Sequence, residues 1–182
     1  HQEFLNGRTR IRGSGIHVVD DDGRPLPVIR EIFDLVRQKD AILATGHITA
    51  EEHYAVAREF ARRGKVLVTH AGEKLAGPRL TAGQCIELAD LGATIELTAL
   101  ACKHVRGVTG KSPREMASMI RCIGHAHCTL STDYGWTTAV PHPAAGLREF
   151  LELLWGEGIT EDELQTMVSA NPARLLGLEL AA

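Results

Sequence analysis

Apolar and polar positions along this chain follow two alternating periods. Four short apolar runs occur: AILATGH (41–47), KVLVTH (65–70), ATIELTAL (93–100) and CTLSTD (128–133). Each is followed, directly or across a loop, by a stretch with helical spacing: TAEEHYAVAREFARRG, TAGQCIELADLG, SPREMASMIRCIG and AAGLREFLELLWGEG. Met116, Met119, Ile120 and Ile123 form one apolar stripe, and Leu147, Phe150, Leu151, Leu154 and Trp155 form another. An earlier helix is predicted from Pro25 onward, where Val28, Ile29, Ile32, Phe33 and Val36 recur after the turn residues Asp22 and Gly23. The helices at 31–39 and 50–63 end in basic residues, which suits the helix dipole. Gly64, Gly92 and Gly124 follow helices where a left-handed cap is wanted.

Strands alternating with helices of this length mean βαβ units and a parallel α/β sheet. The runs lack strict polar alternation, as expected when both faces of a sheet are covered. GITEDELQTMVSANPARLLGLEL adds a further helix and a terminal helical turn. Residues 1–24 read as an irregular segment, carrying NGR, RGSG and DDDG turn chemistry. Residues 25–182 hold the βα units and C-terminal helices, so 1–182 reads as one domain.

Composition narrows the function. Hydrophobic residues make up 44% and charged residues 24%, ordinary for a globular protein. The net charge of −3 offers no basic surface for nucleic acid. No apolar stretch is long enough to span a bilayer. The start, HQEFLNGRTR, lacks the apolar core of a signal peptide, and without Met it reads as a processed chain or a fragment. Cys85, Cys102, Cys122 and Cys128 form no CxxC pair, which points to free thiols in a reducing, cytoplasmic compartment.

The polar residues that matter fall at the ends of the apolar runs. His47, His70 and Asp133 end the first, second and fourth runs, and Glu96 lies inside the third. Parallel α/β folds bind ligands at the carboxyl ends of their strands, so these groups should converge. Two imidazoles and a carboxylate are suitable donors for zinc or a similar divalent ion. Each has a structural alternative: His47 as a helix cap or a partner for a loop carbonyl, Glu96 as the partner of a basic residue at the rim. Glu96, lining the pocket, and Lys103 and His104, in the loop after the third run, are candidate substrate contacts. Glu52, three residues after Thr49, reads as half of a capping box. His53 falls within a helix and reads as a surface residue. His125 and His127 have HxH spacing but precede the fourth run. A strand length of about 20 Å separates them from the opposite edge.

ATGHIT, LVTHA, LSTDYG and NPARLLGL, in that order, resemble the C-terminal half of the amidohydrolase superfamily, metal-dependent hydrolases built on a (β/α)8 TIM barrel. The resemblance covers the chain from about Pro25 and is closest to an uncharacterised branch. It implies strands five to eight of the barrel. By position it makes His47 and His70 metal-binding or metal-flanking residues. It makes Asp133 a metal ligand that also takes the proton of the attacking water, and it fixes no ligand at Glu96. The family's first-strand HxH and its fourth-strand Lys or Glu have no counterpart here. A full barrel takes about 250 residues, so a missing half is expected upstream or on another chain. The implied activity is hydrolysis of an amide, ester, lactone or similar bond, with one or two divalent ions, zinc first among them. A small molecule is the expected partner, and a homo-oligomer is compatible with the sequence. The rival reading is a non-catalytic, degenerate barrel that binds or scaffolds. A phosphate-binding barrel is a third, although no Gly-rich loop of the P-loop or dinucleotide type occurs.

Overall fold

The computed structural model describes residues 13, 15–74, 77–105, 107–135 and 140–179. Most of the irregular segment read at 1–24 therefore lies outside the described residues. Among the described residues, four strands pair in sequence order: β1 Ile42–Ala44, β2 Lys65–Val68, β3 Thr94–Thr98 and β4 Cys128–Ser131. All three pairings are parallel, with Leu43 opposite Val66, Val68 opposite Ile95 and Leu97 opposite Leu130. The strands alternate with helices α1 Pro27–Gln38, α2 Ala50–Val56, α3 Ala82–Asp90, α4 Pro113–Ile123 and α5 Pro143–Gly156. The helices α6 Glu161–Gln165 and α7 Asn171–Leu176 close the chain. The architecture is a parallel α/β sheet of the partial TIM-barrel kind.

The helix starts follow local chemistry. Thr49 and Glu52, Thr81 and Gln84, Ser112 and Glu115, and Thr160 and Glu163 each form a reciprocal capping box. α2 and α6 run on as π-helical turns at Ala57–Ala61 and Thr166–Ala170. The core lies between sheet and helices, with Phe60, Leu88, Ile95, Leu97, Met116 and Leu154 fully buried.

Three readings from periodicity are corrected by packing. Trp155 belongs to the predicted stripe of α5 but is 68% exposed, since the stripe is wider than the surface it covers. Val28 and Ile32 of α1 are likewise exposed, and only Phe33 of that helix is fully buried. Gly92 and Gly124 take positive φ after their helices, whereas Gly64 does not. A Cβ at Gly64 would lie 2.3 Å from the Phe60 ring, so the glycine admits that ring instead of turning the backbone.

Candidate functional site

The carboxyl ends of the strands form a polar rim. β2 stops at Val68, and Thr69 and His70 carry the chain over the sheet edge. His70 is buried and has a positive φ of 35°, an uncommon backbone for a residue with a Cβ. Glu96, at the centre of β3, holds it there: the His70 backbone N–H donates to Glu96 Oε2 at 2.9 Å. The Ser131 hydroxyl, on β4, donates to Glu96 Oε1 at 2.8 Å. Glu96 thus ties the ends of β2 and β4 together through both carboxylate oxygens.

His47 lies on the loop after β1, exposed, with its ring centroid 4.5 Å from that of His70. The loop is fixed from below. Gly46 donates its N–H to Thr69 Oγ1, and Thr69 donates its own to Thr45 Oγ1. Thr45 Oγ1 also lies 3.0 Å from His53 Nε2, while His53 Nδ1 lies 2.7 Å from the Thr49 carbonyl. A carbonyl only accepts, so Nδ1 carries the proton and Nε2 accepts from Thr45. Burial pushes the His53 pKa down, keeping the ring neutral. His53 is therefore a buried support of the β1 loop and not the surface residue the sequence suggested. Its spacing from Ala57 and Phe60, on the apolar face of α2, is the signal that marked it.

Asp133 follows β4, also in a left-handed backbone (φ 57°). The next residue, Tyr134, packs its ring on Gly146 of α5, where a Cβ would come within 2.2 Å of the ring. The Asp133 carboxyl is pushed up to about 6 by burial first, then by the Glu96 and Glu73 carboxylates, with His47 pulling the other way. His70 is pushed down to about 4 by burial, then by the His47 ring, while Glu73 opposes. His47, His70, Asp133 and Glu96 are thus brought into one electrostatic neighbourhood, as the run ends implied.

Glu73 is a member that sequence reasoning missed. It is 4% exposed, its N–H donates to the His70 carbonyl, and its Oε2 accepts from the Gly77 N–H at 2.6 Å. A carboxylate three residues beyond a strand-end histidine, in a Gly-flanked loop, was the available signal. His70 Nδ1 is a buried ring nitrogen with no hydrogen-bond partner among the described residues.

Lys103 and His104 are engaged by other groups. The Lys103 ammonium pairs with Glu149 of α5 at 2.6 Å, and exposed His104 contacts Thr109 Oγ1 at 3.1 Å across its own loop. His125 and His127 form a 3-10 turn at the opposite edge, leading into β4.

The fit of a divalent cation is partial. In kind the donors suit one: His70 is neutral near pH 7, and the Glu96 and Glu73 carboxylates raise the proton affinity of Asp133, a field that a cation would relieve. In number they fall short, because among the described residues no three His, Cys, Asp or Glu side chains are grouped so as to hold a metal ion.

Solved structures share this fold. A crystal structure of an amidohydrolase from Burkholderia multivorans with bound zinc superposes with a TM-score of 0.58 at 14% identity, over 93% of this chain and 67% of that one. The apo structure of an Agrobacterium tumefaciens protein superposes with a TM-score of 0.54 at 15% identity, over 84% of this chain and 56% of that one. The chain therefore has the α/β fold of amidohydrolase structures and spans about two thirds or less of their length. Residues 1–96 match a family of unknown function, DUF6282, and the chain belongs to that family. No curated protein matches the chain. Among the described residues no helix is long and apolar enough to cross a membrane.

Proposed function

We propose that this chain carries the carboxyl-end half of a hydrolase site that acts on an amide, ester, lactone or similar bond in a small molecule. The observation that supports it is the tilted contact of the His47 and His70 rings, centroids 4.5 Å apart, in the field of a half-buried Asp133. In this reading Asp133 orients the attacking water and accepts its proton, and a carboxyl pKa near 6 makes it a stronger base than an ordinary carboxylate while leaving it ionised at pH 7. His70 presents a neutral nitrogen donor beside the His47 ring at the mouth of the site, and Glu96 holds His70 in place. A divalent ion, with zinc first among candidates, would acidify a bound water; His47, His70 and Asp133 are donors of the right kind for it, although they are not grouped as a three-ligand site. Its remaining ligands would come from outside the described residues.

The test is a zinc titration by calorimetry, followed by a hydrolysis panel of lactones, esters and amides with and without metal. Metal-stimulated turnover of one class is expected, together with zinc binding that weakens in His70→Asn. Zinc affinity unaltered by His70→Asn, with no turnover on any substrate, would refute the reading and favour a barrel that binds without catalysis.

A further inference from the structure

Beside the rim, the loops that leave β2 and β3 enclose a second feature. A cavity of about 570 Å³ is lined by Gly72, Lys74, Arg79, Gly107, Thr109 and Lys111, together with Val108. Among the described residues its ionisable lining is cationic, in a chain whose net charge is −3. No ion pair between described residues holds any of the three cations. Glu115, the carboxylate that feels Lys74 and Lys111, accepts from the Ser112 amide and hydroxyl at the start of α4 and does not line the cavity.

Both walls are fixed by backbone hydrogen bonds. On one side Val105 and Val108 exchange two bonds, Gly110 donates to Lys103, and Lys111 donates to Ala101. On the other side Leu80 donates to Ala71, and Arg79 Nε donates to the Lys74 carbonyl. The walls meet at Gly72, where a Cβ would lie 2.9 Å from Lys111 Cε. The missing side chain lets the lysine stem cross the β2 loop with its ammonium at the cavity.

We infer that this cavity binds a small oxyanion, a phosphate or carboxylate group, through Lys74, Arg79 and Lys111 with the Thr109 hydroxyl. The cations are held by separate backbone segments, so the anion meets a preformed charge cluster. Gly72 and Lys74 flank Glu73 of the rim, which makes the anion part of the substrate. That last step rests on the hydrolase reading; anion binding itself does not.

The test is calorimetric titration of the full chain with inorganic phosphate and, separately, with succinate, at an ionic strength fixed with chloride. One saturable site for at least one anion is expected, and the preferred anion identifies the group. Arg79→Gln and Lys111→Met should each weaken binding about tenfold or more, the usual scale for a charge-assisted contact. Gly72→Ala, which keeps every charge but displaces the Lys111 stem, should also weaken it. His70→Asn should bind the anion as the parent does. Circular dichroism establishes that each variant is folded. No saturable binding of either anion, undiminished binding in the Arg79→Gln/Lys111→Met double variant, or a loss in His70→Asn equal to that in the double variant would overturn the inference. Zinc affinity should be unchanged in the double variant, so absent zinc binding counts against the hydrolase reading alone.

Discussion

The two rims of the sheet are built on opposite terms. At the amino end every strong polar group noted is satisfied. Asn171, 1% exposed, donates to the His125 carbonyl at 2.8 Å and to the Cys128 carbonyl at 2.6 Å. Arg174 donates to Ala126 O and Asn171 Oδ1, each at 3.0 Å. The NPAR stretch therefore clamps the entry to β4. At the carboxyl end two residues with side chains sit in left-handed backbone, a buried ring nitrogen has no hydrogen-bond partner among the described residues, and an acid and a base are shifted toward their neutral forms. Polar residues at the amino rim lock the backbone, whereas at the carboxyl rim strained backbone and shifted proton affinities mark groups poised for a ligand.

The contrast can be broken at several points. The largest effect is expected for Asp133→Asn, which should lower turnover by about 10²–10⁴, the usual range for loss of a general base. Far-ultraviolet dichroism and the melting temperature of that variant should remain those of a folded chain. Turnover equal to the parent's would remove the assigned role. At the other rim, Asn171→Ala leaves the buried Cys128 carbonyl and the part-buried His125 carbonyl without their donor and should cost about 2–3 kcal/mol in urea unfolding. Zinc and anion affinity should be untouched, and a selective loss of either would mean that the two rims are not separable.

A smaller effect concerns pH in chelator-treated protein. The folded pKa of His70 is depressed from 6.5 to about 4, so its contribution to stability is present above pH 6.5 and lost as pH falls through 4. The folded pKa of Asp133 is raised from 3.8 to about 6, so its contribution is present below pH 3.8 and lost as pH rises through 6. Asp133→Asn should therefore gain melting temperature over the parent at pH 7.5, by about 2–4 °C per kcal/mol, and less at pH 5. A pH-independent difference would contradict the shift. The smallest effect is expected at Trp155, 68% exposed, where Trp155→Ser should move stability by about 0.5 kcal/mol or less.

Much of this arrangement was legible in the residues. The four strands and their order follow from apolar runs bounded by turn and cap chemistry, because parallel strands buried on both faces need such runs. His47, His70 and Asp133 were legible because strand direction alone puts the run ends at one edge. Less was legible where burial depends on long-range packing. His53 needed Thr45 from a separate loop to satisfy its Nε2, and Glu73 needed the turn to Gly77. Lys103 has the right position for a substrate contact, but Glu149, far along the chain, takes its charge. The role of Gly64 depends on the Phe60 ring, which a cap rule does not consider.

Glu96 has a mechanical consequence. A single carboxylate in the middle strand grips the backbone of one neighbour and the hydroxyl of the other, so the edge moves as one body. Deuterium should enter the His70 amide slowly even though a loop begins there, and Glu96→Gln should speed that entry more than it alters the melting point.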